Sequence, residues 1–581
     1  MTVQKQNILI IGGGMAGLGA AKELSKHPSV HVTLLEARDQ LGGRIVTRRN
    51  LISPDMEASG LVPPGSSEIA FDFGASWIHG VDEANPIMRL VKAGHVEYYH
   101  TDSDIVYLDR NQQGKPAVPL PTEESNHYWS VVWDLLDHAR EYAELNREYI
   151  PEDMSLKQWL VQYLESRQST DPKADNYMSE QDQRIVPALS MYWADENAIP
   201  VERASMKFLD AERIFPGDHS LVTNGFDRII KVLACELKGV RVLLEHIVDK
   251  IEYTESEVKV STNRGIFTAD QVLVTLPLGV LKAQSKTLFS PQLPLPKELA
   301  IERLSFGTMF KIILFFPTCF WPTQDHFINF LPTTSSATLT SPADIQPDPV
   351  LTAQFKLNEP QIEALTTYMK DLANYSSMVH LYQKPILIGY ATNRAAELME
   401  RLSDAEARMV YVCQMAHYFP QLIPEQYQPP LVEQPSSDVH HHNEGQATPT
   451  PPLRGEALWP KVSFMSRWNQ DPFARGSYTG IPIHASTSDL EAFEIPVGAR
   501  MYCALDGDDD YEHDMGDTQN NNDDRTSEGS PALTSVDDRD CGRVFFAGEH
   551  TSSSRFASIH GAMMSGEREA ARMLGQHYRA L

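Results

Sequence analysis

Cysteine is scarce. The 581 residues hold five, Cys235, Cys319, Cys413, Cys503 and Cys541, scattered, odd in number and without a Cys-x-x-Cys pair. That pattern excludes a disulfide scaffold, gives no zinc motif and fits a reducing compartment. No uninterrupted apolar run reaches the roughly 20 residues that span a bilayer. No basic segment leading into an apolar stretch opens the sequence, and the closing Arg579, Ala580 and Leu581 do not form a good peroxisomal address. The expected location is therefore cytoplasmic, with no membrane partner. Positive charge is also short: 50 Lys and Arg stand against 78 Asp and Glu, a net charge of −28. Such a balance disfavours nucleic acid as a partner and attracts polycations. Part of it is local, because 506–540 carries 13 acidic and 2 basic residues, but the remainder is still strongly acidic.

What is present begins at once. Asn7 to Arg44 reads as a buried strand, a turn carrying Gly12, Gly14 and Gly17 in the order GxGxxG, a helix, and a second strand ending in Glu36. In such a unit the first glycine allows the tight turn, the second lets a pyrophosphate approach the backbone and the third lets the helix pack on its strand. Amides at the helix start face the phosphates. A carboxylate at Glu36 accepts from the ribose hydroxyls and repels a 2′-phosphate. The unit predicts a dinucleotide and does not choose between NAD and FAD.

Further along, Leu51 to Glu68 is rich in Pro, Gly and Ser and predicts a surface loop. The segment Phe71 to Gly80, FDFGASWIHG, places small residues where backbone can approach a flat ring. Helical periodicity follows over Asn126 to Arg167 and predicts an inserted helical lobe. Ala269 to Leu278 predicts a buried parallel strand. Lys311 precedes the very apolar run Ile312 to Phe316, and a lysine is seldom buried without a partner or a function. Ala337 to Leu381 is poorly patterned and suggests an insertion. The stretches 432–457 and 506–540 are of low complexity and predict disordered inserts, so the adjacent His440, His441 and His442 are not read as a metal site.

Taken together, ExRxxxGGR (Glu36, Arg38, Gly42, Gly43, Arg44), GASWIHG, ADQVLVTLPL, RWNQDPFARGSY and the C-terminal AGEHTSSSRFASIHGA resemble the flavin-dependent amine oxidases, polyamine oxidases above all. The resemblance implies an α/β fold with a Rossmann-type FAD-binding domain and an interleaved α+β substrate-binding domain. The first is expected over 5–80, 218–285 and 500–581, the second over 81–217 and 286–499. It further implies that Arg38, Gly43 and Arg44 hold the phosphates and the chain near the flavin, and that Ala75, Ser76, Trp77, Trp468, Ser558 and Ile559 line the flavin ring. Val248 is implied on the adenine side, and Gly548 with Glu549 at the ribityl and phosphate region.

On the same resemblance Lys311, His79 and Tyr478 are the catalytic candidates. Lys311 would hold a water near the flavin, His79 would orient the amine and Tyr478 would form an aromatic wall. Asp195 and Glu196, in YWADEN, are the candidate carboxylates for a distal ammonium. Monoamine oxidases attach their flavin through a cysteine near the C-terminal motif. That motif here has none, so noncovalent FAD is expected. The implied reaction is oxidation of a polyamine (spermine, spermidine or an acetylated form) with O2 as acceptor, giving peroxide, aldehyde and a shorter amine. The alternatives are a histone-demethylase-like or other amine oxidase, and an FAD-bound scaffold without turnover. No metal is implied, and the sequence does not speak to oligomeric state.

Overall fold

The structure is a computed structural model; it describes residues 5–100, 105–109, 117–167, 178–195, 199–331, 348–368, 374–377, 384–428, 453–498 and 542–575. Of the stretches expected to be disordered, 506–540 and 432–452 lie outside them, whereas 453–457 is described and forms the short turn Gly455–Ala457, where Gly455, at φ +54°, packs against Glu425.

Three sheets organise the described chain. The first has five parallel strands in the order Arg241–Leu243, Val30–Leu35, Gln6–Ile11, Gln271–Val274 and Val544–Phe546. The inner strands Gln6–Ile11 and Gln271–Val274 are short, largely apolar runs because helices or a second sheet cover both faces. On one face Met15–Ser25 packs against Ile559–Met573, and small residues set the distance: a Cβ on Gly566 would lie 2.0 Å from the Ala16 carbonyl oxygen. The other face buries Leu9, Ile11, Val272 and Val274 against a four-stranded sheet, Val248–Tyr253, Val258–Thr262, Gly265–Ala269 and Phe289–Ser290. The chain order reverses beside Gln6–Ile11, so a crevice opens at the carboxyl ends of that strand and of Gln271–Val274.

The largest sheet has seven strands in the order Val462–Met465, Met309–Phe315, Ile386–Thr392, Asn374–Ser377, Phe327–Phe330, Ile105–Asp109 and Val118–Pro119. Period-two alternation divides Met309–Phe315 between two environments. Phe310, Ile312 and Leu314 join the core under the helices Asn393–Arg401 and Asp404–Tyr418. Ile313 and Phe315 pack toward Phe71 on the opposite face. Lys311 shares that second parity, and it lies inside the strand rather than ahead of it.

Two sequence expectations change here. The loop expected over 51–68 contains a short helix, Pro54–Ala58, capped by the Ser53 hydroxyl, and it buries Ile52 and Val62. Within 337–381, which read as an insertion, Asn374–Ser377 is an inner strand of the seven-stranded sheet, paired on both sides. Four residues are too few to show an alternating pattern. The helical lobe forms as expected, from Thr122–Asn146, Leu156–Ser166 and Glu180–Asp195.

Candidate active site

One cavity of about 1260 Å³ runs from the crevice of the parallel sheet to the helical lobe. At the crevice end Gly12 has φ +108°, and Gly14 is the N-cap of Met15–Ser25 with no side chain on its amides. A Cβ on Gly17 would lie 2.0 Å from the Gly12 carbonyl oxygen, whereas one on Gly14 would meet only Gly43 Cα at 3.8 Å. Gly17 therefore sets helix-to-turn packing, and Gly14 presents open backbone to the cavity. Glu36 is buried and lines the same end. Its Oε2 accepts from the Gly13 amide at 2.7 Å and its Oε1 from the Arg38 amide at 2.8 Å. Burial raises its pKa against the pull of those amides.

The two arginines are held by carboxylates. Arg38 donates from both terminal nitrogens to Asp471, at 2.8 and 3.0 Å, beside the Phe473 ring. Arg44 pairs with Glu549 at 3.1 Å, donates to the Ser477 carbonyl and lies over Phe306. Glu549, 4 % exposed, also accepts from Thr479 N and Oγ1 and from the Ala557 amide. Gly43, Val248 and Gly548 complete this part of the lining. An uncapped helix start, an open glycine backbone, a ribose-directed carboxylate and two fixed guanidiniums fit the diphosphate and adenosine of FAD.

Deeper in, the Trp468 indole donates to the Phe73 carbonyl at 2.9 Å, and Ala75, Ser76, Trp77, Ser558 and Ile559 line the wall. Ser558 is the N-cap of Ile559–Met573, accepting from the Gly561 amide at 3.0 Å, so the positive end of that helix faces the cavity. Lys311 is 4 % exposed. Its Nζ donates to Asp72 O at 2.6 Å, Gly74 O at 3.1 Å and Ser76 Oγ at 2.9 Å, with the Tyr390 ring 5.6 Å away. Burial brings the ammonium down to about 8, and the Asp72 carboxylate, itself raised to about 6, opposes that shift.

At the substrate end His79 and His219 meet through their Nδ1 atoms at 2.9 Å, one donating and the other accepting. His79 is open to the cavity, and desolvation with His219 beside it lowers its pKa. Tyr478 lines the cavity from a strand that pairs with Ser305–Gly307. Trp77 stacks on Phe327, with centroids 5.7 Å apart. The lobe supplies Trp129, Trp133, Asp137, Arg140 and Phe208.

Thus the cavity gathers Lys311, His79, Tyr478 and every cofactor candidate except Gly17, which packs behind it. Asp195 ends the helix Glu180–Asp195, its side chain outside the described set, and Glu196 lies outside the described residues. Among the described residues, Asp137 and Glu212 are the carboxylates at the lobe end of the cavity. Sequence reading passed over Asp137 because it sits in a helix whose periodicity describes packing, and over Glu212 and His219 because they lie in an irregular segment without a pattern. Asp471 was within a quoted motif but without a role.

Residues 15–574 match the family described as flavin containing amine oxidoreductase. Polyamine oxidase 5 of Oryza sativa subsp. japonica is 31% identical over 57% of this chain, and the match spans 62% of that protein's length. Lysine-specific histone demethylase 1 homolog 1 of Arabidopsis thaliana is 26% identical over 98% of this chain and 52% of its own. In fold, a redesigned putrescine oxidase matches with a TM-score of 0.58 at 17% identity, covering 99% of this chain and 100% of that one. Family match, cradle and cavity agree: the chain belongs to the flavin containing amine oxidoreductases, with FAD as its cofactor.

Proposed function

We propose that the protein oxidises polyamines, with FAD held noncovalently and O2 as the final acceptor. The observation that carries this is the continuity of one cavity from the nucleotide cradle, past the buried Lys311, to an aromatic lobe lined by Trp129, Trp133 and Phe208. When bound, the flavin accepts a hydride from the carbon next to the amine nitrogen and is reoxidised by O2.

The protein's own residues bind, orient and desolvate. Aromatic faces at Tyr478 and Trp77 flank an amine and favour its cationic form by roughly 0.5–2 kcal/mol before the proton leaves. That proton must leave, because only a free lone pair assists loss of hydride. His79, whose pKa desolvation and the neighbouring His219 lower, is a weak acceptor for it. His79 therefore orients the nitrogen by hydrogen bonding, its ring held by the Nδ1–Nδ1 hydrogen bond to His219, and the proton departs to solvent. Lys311 has three ammonium hydrogens and three protein acceptors, so a water bound to it replaces one of these. The Ser76 hydroxyl, itself on the cavity wall, is the acceptor best placed to yield. The match between an acidic protein and polycationic substrates supports the same reading. Among the described residues no cysteine lines the cavity, which supports noncovalent FAD.

A peroxide assay of the holoprotein with spermine, spermidine, their acetylated forms and a methylated histone peptide tests the proposal. Peroxide from a free polyamine is expected. Peroxide from the peptide alone would move the reading to a demethylase, and none from any of them would end the oxidase reading.

A further inference from the structure

We propose that a second cavity binds a linear polyphosphate anion, either the free chain or the phosphate chain of a nucleotide. The inference stands apart from the proposed amine oxidation, because this cavity shares no lining residue with the first.

The cavity, of about 890 Å³, is walled by the C-terminal turns of Met15–Ser25 and Met88–Ala93 and by one face of the helix Asp227–Glu236. That face presents Arg228, Lys231, Val232 and Cys235, at the spacing that brings side chains together on a helix. Lys22, Lys26, Arg49 and Lys238 join Arg228 and Lys231, so six cations line the cavity. Among the described residues Glu236 is the one carboxylate in the lining, and it pairs with Arg89 at 3.1 Å. Two carboxylates outside the lining are each shared by two of the cations: Glu23 by Lys22 and Lys26, and Asp227 by Arg49 and Lys231. Glu567 reaches Lys22 at 3.7 Å. Counting Arg89, seven cations thus face four carboxylates, in a chain whose net charge is −28. The roughly half negative charge at each of the three helix C-termini does not cancel that excess. Arg228 is committed to the Asn224 and Gly94 carbonyls, at 3.3 and 3.4 Å. Lys26, Lys231 and Lys238 are exposed and free to turn toward a ligand, and the Lys238 side chain has no hydrogen bond or ion pair among the described residues.

The rest of the lining decides the class of anion. Between the cations lie the small residues Ser25, Ala93, Val232 and Cys235, and no aromatic ring. A nucleobase therefore finds nothing to stack on. The walls are helical, so no strand edge offers main-chain hydrogen bonds to an acidic peptide. What the groove does offer is charge and N–H donors, which bind phosphate oxygens through charge-assisted hydrogen bonds. The donors are spread out: from Lys231 to Lys238 the chain advances roughly 10 Å. Cations distributed over that length suit several linked phosphates better than one.

The test is calorimetric titration of the full-length, FAD-loaded protein with inorganic tripolyphosphate, with ATP, orthophosphate and hexaglutamate as comparisons. Tripolyphosphate and ATP are expected to bind alike, both about tenfold or more tightly than orthophosphate or hexaglutamate. Binding should weaken about tenfold as salt rises from about 50 to 200 mM. Cys235, exposed in the groove, gives a local readout: its alkylation, followed by peptide mass spectrometry, should slow severalfold with tripolyphosphate bound. Lys231→Gln combined with Lys238→Gln should weaken binding about fivefold or more, and Lys26→Gln, from the facing helix, should act in the same direction. The same two-charge loss at Lys250 and Lys259, on the four-stranded sheet, should leave affinity unchanged. Melting temperatures control for folding. No binding at low salt, an equal loss in the Lys250 and Lys259 variant, or binding of ATP without tripolyphosphate would overturn the proposal. Hexaglutamate binding as tightly as tripolyphosphate would overturn it in favour of an acidic peptide.

Discussion

The Lys311 ammonium and the Ser76 hydroxyl are joined at 2.9 Å across the seam between the seven-stranded sheet and the segment that follows Phe73. With the carbonyls of Asp72 and Gly74 they form a closed cluster on the cavity wall. A lysine so buried is a stability liability as well as a functional group.

The liability has a defined pH window. Lys311 falls from 10.5 to about 8 on folding, so above pH 10.5 the folded and unfolded states are both neutral and no penalty exists. As pH falls through about 8 the folded state must charge, and the penalty is then complete. The stability of wild type relative to Lys311→Met should rise by about 2–3 kcal/mol between pH 7.5 and 10.5, as measured by denaturant unfolding. Reoxidation of the reduced flavin by O2 should be slower in Lys311→Met. A full wild-type rate would remove Lys311 from oxygen chemistry.

Two glycines three residues apart should respond oppositely to the same methyl group. A Cβ at Gly17 meets the Gly12 carbonyl at 2.0 Å, and backbone cannot give way there, so Gly17→Ala should lower the melting temperature markedly or prevent folding. Gly14 has φ −79° and open space, so Gly14→Ala should fold with near-normal stability. It should nonetheless lose FAD, because the methyl occupies the approach of the diphosphate. The flavin-to-protein absorbance ratio after dialysis, together with the melting curve, separates the two.

His550 supplies an acid-side prediction. It is 1 % exposed, and neither ring nitrogen has a partner among the described residues. Burial lowers it from 6.5 to about 4. Both states are neutral above pH 6.5, so the group costs nothing in charge there. As pH falls from 6.5 toward 4 the unfolded chain takes up a proton that the folded one refuses, and stability is lost. His79 and His560, lowered to about 4 and about 3, act in the same direction. His550→Leu should be as stable as wild type or more so at pH 7, and less sensitive to acid between pH 6.5 and 4.5, by chemical denaturation.

The legible parts of the sequence were those whose chemistry is local. The strand, glycines, helix and acid of Asn7 to Glu36 specify a turn and its helix within 30 residues, and the parallel pairing of Gln6–Ile11 with Val30–Leu35 follows from them. Lys311 was noticeable as a charge in an apolar run. Its partners were not, because Asp72, Gly74 and Ser76 lie more than 230 residues away in the chain. His219 is of the same kind: nothing in its flanking residues marks it, and only the fold brings it beside His79. Asn374–Ser377 stayed hidden because a four-residue strand has too few side chains to show a period. The candidate at Asp195 and Glu196 came from resemblance alone, and both side chains lie outside the described residues.

The central claim is that the bound flavin takes electrons from a polyamine in this cavity. Anaerobic mixing of the FAD-loaded protein with spermine or spermidine tests it directly. The account predicts bleaching of the flavin absorbance near 450 nm in a single turnover, with one equivalent of aldehyde product, and return of the colour with peroxide when air is admitted. Persistence of the oxidised spectrum in a correctly folded, FAD-saturated protein, whichever polyamine is added, would contradict it.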